Sequence, residues 1–148
     1  MILFLLHFAL ASSCVHDNTN FRCVKVLKNY DGDTITVNIP GVHPLLGEKV
    51  SVRIRGIDTA EVKGKAPCEK DAARVARNLV ESLTKNAKVV HLENIERDKY
   101  FRVLADVVAD GKSIKDILIK NQLAVNYEGG TKQKVNWCES LRKPASGK

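Results

Sequence analysis

The chain has 148 residues, enough for one domain with a single hydrophobic core. Lys and Arg outnumber Asp and Glu by 24 to 17, a formal net charge of +7, which favours polyanionic partners such as nucleic acid or an anionic membrane. Aromatic residues make up only 5% of the chain, which speaks against an extended platform for stacking single-stranded bases.

The opening stretch, "MILFLLHFALASSC", is apolar but too short to cross a bilayer as a helix. With Ala9-Leu10-Ala11 as a cleavage signal, residues 1–13 read as an export leader, although the usual positive start is missing. The alternative is a buried N-terminal strand. Cys14 also stands where a lipoprotein would be acylated, the one route to a membrane in this sequence. Export implies a periplasmic or secreted protein. No two of the four cysteines, Cys14, Cys23, Cys68 and Cys138, are spaced Cys-x-x-Cys, which speaks against a zinc site. In an exported chain disulfides are favoured. A Cys68–Cys138 bridge would pin the tail; the alternative is two buried thiols. Cys23 either pairs with Cys14 or stays free.

One domain is expected over residues 21–140, followed by a disordered polar tail over 141–148. Residues 12–20 are polar and read as flexible. "FRCVKVLKN" (21–29) reads as a first strand, "DGDT" (31–34) as a turn and "TITVNI" (34–39) as a second strand. A loop over 40–47 leads to a third strand from about 48 to 57. Between Pro67 and Asn86 the period changes: Ala72, Val75, Ala76, Leu79, Val80 and Leu83 fall at helical spacing. Pro67 suits the first turn of that helix, and Glu69 and Asp71 suit its positive end. Two strands follow, at 88–95 and 101–109, joined by "ERDKY", and then the turn Asp110-Gly111. Ser113 is placed to cap a second helix, with Asp116 three residues on. The order strand-strand-strand-helix-strand-strand-helix, mainly β with helices, suits a five-stranded barrel of the OB type.

Parity along the strands carries a further expectation. Asp33 shares parity with Ile35, Val37 and Ile39, and Asp58 with Val50, Val52 and Ile54. If these stripes face the barrel interior, each ends in an aspartate at the rim. Two partly dehydrated carboxylates at one barrel mouth need cations or a hard divalent metal. Taken singly, Asp-Gly-Asp-Thr is a common turn, and it lacks the spacing of an EF-hand loop. Arg53, Arg55 and Arg102 taken singly read as exposed strand charges, and Glu61 as a loop charge. Together they suit attack on a phosphodiester: carboxylates for metal and water, arginines for phosphate oxygens.

The segments "YDGDTITV", "VRIRGIDTAE" and "ERDKYFRVLADV", in that order and spacing, resemble the staphylococcal nuclease (thermonuclease) family, over about residues 22–127. The resemblance implies a five-stranded OB barrel and calcium-dependent hydrolysis of DNA and RNA, with one calcium ion per site and 3′-phosphates as products. It implies Asp33 and Asp58 as carboxylate ligands of the metal, with the backbone carbonyl of Thr59, and Asp31 as a nearby residue. It implies Glu61 as the residue that activates water, and Arg53 and Arg102 as the phosphate clamp. Lys99, Tyr100 and Tyr127 match substrate contacts. No stable protein partner is implied, and a monomer is expected. Three positions depart from the family. Ala60 stands where the family has Pro, Phe101 stands where Gly is common, and the stretch after Tyr127 is short for a third helix. Trp137 is expected to pack the tail against the barrel. The alternatives are a catalytically silent barrel that binds nucleic acid and a barrel that recruits a protein.

Overall fold

The computed structural model describes residues 13–142. The expected leader, but for Ser13, and residues 143–148 of the expected tail lie outside the described residues. In chain order the elements are β1 (Lys25–Asp31), β2 (Thr34–Asn38), α1 (Pro44–Gly47), β3 (Val50–Ile54) and β4 (Ile57–Thr59). They continue with α2 (Pro67–Asn86), β5 (Val90–Arg97), β6 (Val103–Ala109), β7 (Lys112–Ser113), α3 (Ile114–Lys120), β8 (Ala124–Asn126) and α4 (Trp137–Ser140).

The alternating strands build a curled sheet in the order β1-β2-β3-β6-β5, with β7 on the end of β6. Its neighbours are antiparallel except β3 and β6, which run parallel. Ile35, Val37, Val52, Ile54, Leu92 and Val107 point inward and are fully buried, as the strand period requires. Helix α2 closes one side of this core with Ala76 and Val80, and α3 closes another with Ile114 and Leu118. The result is an OB-type barrel in an α+β domain.

Local chemistry explains most boundaries. Pro67 opens α2, where its missing N–H costs nothing, Glu69 lies in the first turn and Lys85 in the last. Ser113 caps α3 by accepting a hydrogen bond from Asp116 N–H at 3.2 Å. In the β1–β2 turn, a Cβ on Gly32 would come 2.7 Å from Cβ of Ala76 and 3.1 Å from Cγ2 of Thr59. Glycine is therefore required there by close approach to α2 and β4, not by its backbone angles.

Four expectations change. The first strand starts at Lys25 because Cys23 adopts a left-handed φ of 52°, while Phe21 pairs with Leu92 alone. The third strand breaks at Gly56 (φ 75°) into β3 and β4, and β4 pairs with β8 in a small second sheet. Val75 is 43% exposed, whereas Ala73 and Thr84 are buried, so the inner face of α2 is rotated from the expected stripe. Trp137 does not pack on the barrel interior. It lies with Ala60, Ala72 and Ala73 in a separate cluster between α2 and the loop after β4.

Of the alternatives open for the cysteines, the structure has both bridges. Cys68 at the start of α2 is bonded to Cys138 in the one-turn α4, and Cys14 to Cys23, which takes up the sulfur of Cys14. Two disulfides suit an oxidising compartment. No helix among the described residues is long and apolar enough to cross a membrane.

Candidate functional site

The inward stripe of β2 ends as its parity predicts, in Asp33, whereas the stripe from β3 toward Asp58 is broken at Gly56. Asp58 lies in β4, where all three residues are buried; both aspartates are only 7% exposed. Arg53, from β3 between them, is 11% exposed; its Nη2 lies 3.3 Å from Asp33 Oδ2 and 3.6 Å from Asp58 Oδ1. Its guanidinium also donates to the carbonyls of Asp33 (3.3 Å), Ile54 (3.3 Å) and Ile57 (2.8 Å). Such a planar fork with five donors can serve several acceptors at once, which an ammonium cannot. Thr59, also buried, gives its N–H and its hydroxyl to Asp33 Oδ2, both at 3.2 Å, and Thr34 donates its hydroxyl to Asp33 Oδ1 at 2.9 Å.

The opposite wall is the tip of the β5–β6 hairpin. Asp98 organises it: Oδ1 accepts the N–H groups of Tyr100 (2.8 Å) and Arg102 (2.9 Å), and Oδ2 accepts Nε of Arg102 (2.7 Å). Burial works against charge on Asp98, but these hydrogen bonds outweigh it and hold the carboxyl below its ordinary value. The terminal amino groups of Arg102 have no protein hydrogen bond among the described residues, so they are available to an anion. The Tyr100 ring lies 5.1 Å from Lys99 Nζ and 5.5 Å from Arg102 Cζ. Phe101 sits between them with a left-handed φ of 63° and is 80% exposed.

Between the two walls is a cleft of about 710 Å³ lined by Asp31, Asp33, Arg53, Glu61, Lys99, Tyr100, Arg102, Tyr127 and Lys132. Asp58 and Thr59 do not line it and lie buried behind Arg53 and Lys132. Asp31 accepts the N–H of Val62 at 3.3 Å; burial pushes its carboxyl upward, and the charges of Asp33 and Glu61 add to the rise. Tyr127 donates its hydroxyl to the Gly130 carbonyl at 2.9 Å and its N–H to the Gly56 carbonyl at 2.9 Å, so it braces a loop at the cleft edge. Arg55 reaches the cleft but is paired with Glu96 and Asp106, and its buried Nε makes no hydrogen bond among the described residues.

Sequence reasoning missed two members of the site. Asp98 was read only as part of a charged connection, although its place four residues before Arg102 is itself the signal. Lys132 is the other. Its Nζ lies 2.9 Å from Asp58 Oδ1 and 3.2 Å from Glu61 Oε1, residues far from it in the chain. Gly129 and Gly130, with φ of 96° and 79°, turn the chain so that Lys132 can reach back. That glycine pair was the one hint the sequence contained.

A hard cation fits this donor set. The donors are oxygens throughout, and Asp58 Oδ1, although close to two cationic groups, is buried without a hydrogen bond. Among the described residues no three Asp, Glu, His or Cys side chains form a metal-binding group.

The OB-type barrel thus carries a cleft with Asp33, Arg53, Glu61 and Lys132 on one wall and Asp98, Lys99, Tyr100 and Arg102 on the other. Residues 51–145 match the family described as staphylococcal nuclease homologue, and the chain belongs to that family. The matched region starts after Asp33, which the fold joins to it through Arg53 and Thr59. Over 112 residues the chain is 38% identical to "Endonuclease YncB" of Bacillus subtilis (strain 168), covering 69% of this chain and 48% of that protein. It is also 38% identical over 112 residues to "SPbeta prophage-derived endonuclease YokF" of the same organism, covering 69% of this chain and 34% of the relative. An "Uncharacterized 38.1 kDa protein" of Capnoides sempervirens is 30% identical over 105 residues, 70% of this chain and 29% of its own length. The chain thus spans about half or less of the length of these relatives.

Proposed function

We infer that the protein is a nuclease that hydrolyses phosphodiester bonds of DNA, RNA or both. One observation carries the reading: Asp33 and Glu61 line the same cleft as Arg53 and Arg102, which come from separate segments of the chain, and Asp58 lies buried directly behind Arg53. Two relatives named endonucleases support it. The substrate phosphate is held by the terminal amino groups of Arg102, with Lys99 and Tyr100 beside it, while Arg53 adds a fixed positive charge from the floor. Glu61, whose side chain is 62% exposed, can accept a proton from the attacking water. The water oxygen bonds to phosphorus in line as the bond from phosphorus to the 5′ oxygen breaks, leaving a 3′-phosphate and a 5′ oxygen that takes up a proton from solvent to become a hydroxyl. A calcium ion bound by Asp33, Asp58 and the Thr59 carbonyl would neutralise charge on the phosphate and act as a Lewis acid. Export as a monomer to the periplasm or medium, with the described domain as the active unit, completes the reading; the two disulfides support the compartment.

The test is hydrolysis of single- and double-stranded DNA and of RNA by the purified protein with calcium, with magnesium and with chelator. Cleavage is expected with calcium alone, and Glu61→Gln is expected to lower kcat by about 100-fold or more, the usual worth of a general base. Binding without cleavage under every metal would overturn the reading in favour of a silent nucleic-acid-binding barrel.

A further inference from the structure

We propose that Lys132 is a positioning residue for Glu61, held in place by a C-terminal arm that the fold clips to the site. The proposal rests on the nuclease reading for its catalytic consequence, but its structural part stands on contacts alone. The backbone around Glu61 is fixed. Ala60 is buried against Trp137, Val62 N–H is held by Asp31, and Gly64 N–H closes a turn onto the Glu61 carbonyl at 2.8 Å. The Glu61 side chain is not fixed in this way. It stands largely in solvent, and among the described residues its one side-chain partner is Lys132. A free glutamate side chain samples several rotamers, at an ordering cost of about 1.5–2 kcal/mol. A general base needs one of them.

Lys132 can restrain Glu61 because it is itself restrained. Its ammonium is shared with Asp58, which is buried and cannot move away. The loop that carries it is tied at its start by Tyr127, through the Gly56 and Gly130 carbonyls. After Lys132 the chain is anchored again by Trp137, buried on Ala72 and Ala73 of α2, and by the Cys138–Cys68 bridge. The same Trp137 packs on Ala60, so one short arm holds both the backbone that carries Glu61 and the cation that orients its carboxylate.

The test compares Lys132→Met and Lys132→Arg with the wild-type protein, alone and combined with Glu61→Gln. Relaxation of the Glu61 side-chain methylene groups by NMR reads the mobility of that side chain without reference to activity. Lys132→Met is expected to raise that mobility and Lys132→Arg to leave it near wild type. In hydrolysis, Lys132→Met is expected to lower kcat about tenfold or more with KM unchanged, since slight misplacement of a reacting group can cost about 100-fold. Lys132→Arg is expected to keep most of the rate. In the Glu61→Gln background Lys132→Met is expected to cost nothing further, because a positioning residue acts through the group it positions. Unchanged mobility of the Glu61 side chain in Lys132→Met would overturn the proposal, as would a full additional loss in the Glu61→Gln background. If the wild-type protein cleaves no nucleic acid, the nuclease reading fails, and the mobility measurement alone decides the role of Lys132.

Discussion

The two walls of the cleft are built in opposite ways. The wall bearing Lys99, Tyr100 and Arg102 is one hairpin tip, in which Asp98 gathers the next turn of chain by hydrogen bonds two and four residues away. The wall bearing Asp33, Arg53, Asp58, Glu61 and Lys132 is collected from β2, β3, β4, the loop after β4 and the C-terminal arm. Its contacts join residues 20, 26 and 71 positions apart. The first wall is partly exposed and makes few demands on the rest of the fold. The second must hold two buried carboxylates against their mutual repulsion, so it exists only when the barrel is closed around Arg53. A phosphate can be met by a local, adjustable clamp, whereas a metal and a water need positions that are set by the whole domain.

Substitutions can break this contrast, beginning with the far-sourced wall. Arg53→Met leaves Asp33 and Asp58 buried without their shared cation and frees three carbonyls. It is expected to cost about 3 kcal/mol or more of stability, the usual penalty for orphaning a buried charge. Urea unfolding at neutral pH measures this. A loss under about 1 kcal/mol would mean that the carboxylates can relax into solvent and that the wall is looser than described.

Asp98→Asn is the matching change on the local wall and is expected to cost less, about 1.5 kcal/mol, the worth of hydrogen bonds to a charged acceptor. The folded protein holds the Asp98 carboxyl below its ordinary value of 3.8. Its contribution is therefore complete above pH 3.8 and is lost as pH falls through the lower folded value. The difference between wild type and Asp98→Asn should be constant from neutral pH down to that point and close below it. A difference that closed near neutral pH would show that another group governs the hairpin.

Phe101→Gly sharpens the comparison with the smallest effect. The turn that Asp98 folds requires a left-handed residue at 101, and Phe pays strain there with its ring in solvent. Glycine removes the strain but adds backbone entropy to the unfolded chain, so a net gain of about 0.5 kcal/mol is expected in thermal unfolding. A loss of stability instead would show that the exposed ring is packing on its neighbours.

Much of this protein was legible from sequence because the relevant physics is local. The helical period between Pro67 and Asn86 yielded α2 with both its ends, since Pro67 and the change of period mark them. Strand parity put Asp33 at the inner rim, where Arg53 meets it together with Asp58, although the strand read as leading to Asp58 breaks at Gly56. The hairpin tip was readable as a motif because its parts are consecutive. What parity and period cannot carry is which distant segments meet. The pairing of β4 with β8, the seat of Trp137 against Ala60 and α2, the donor role of Thr59 toward Asp33, and the reach of Lys132 to Glu61 all depend on chain closure. Periodicity reports how each residue faces its own element. The geometry of a buried ion-pair wall is decided only when the elements pack, because burial alone makes those charges choose their partners.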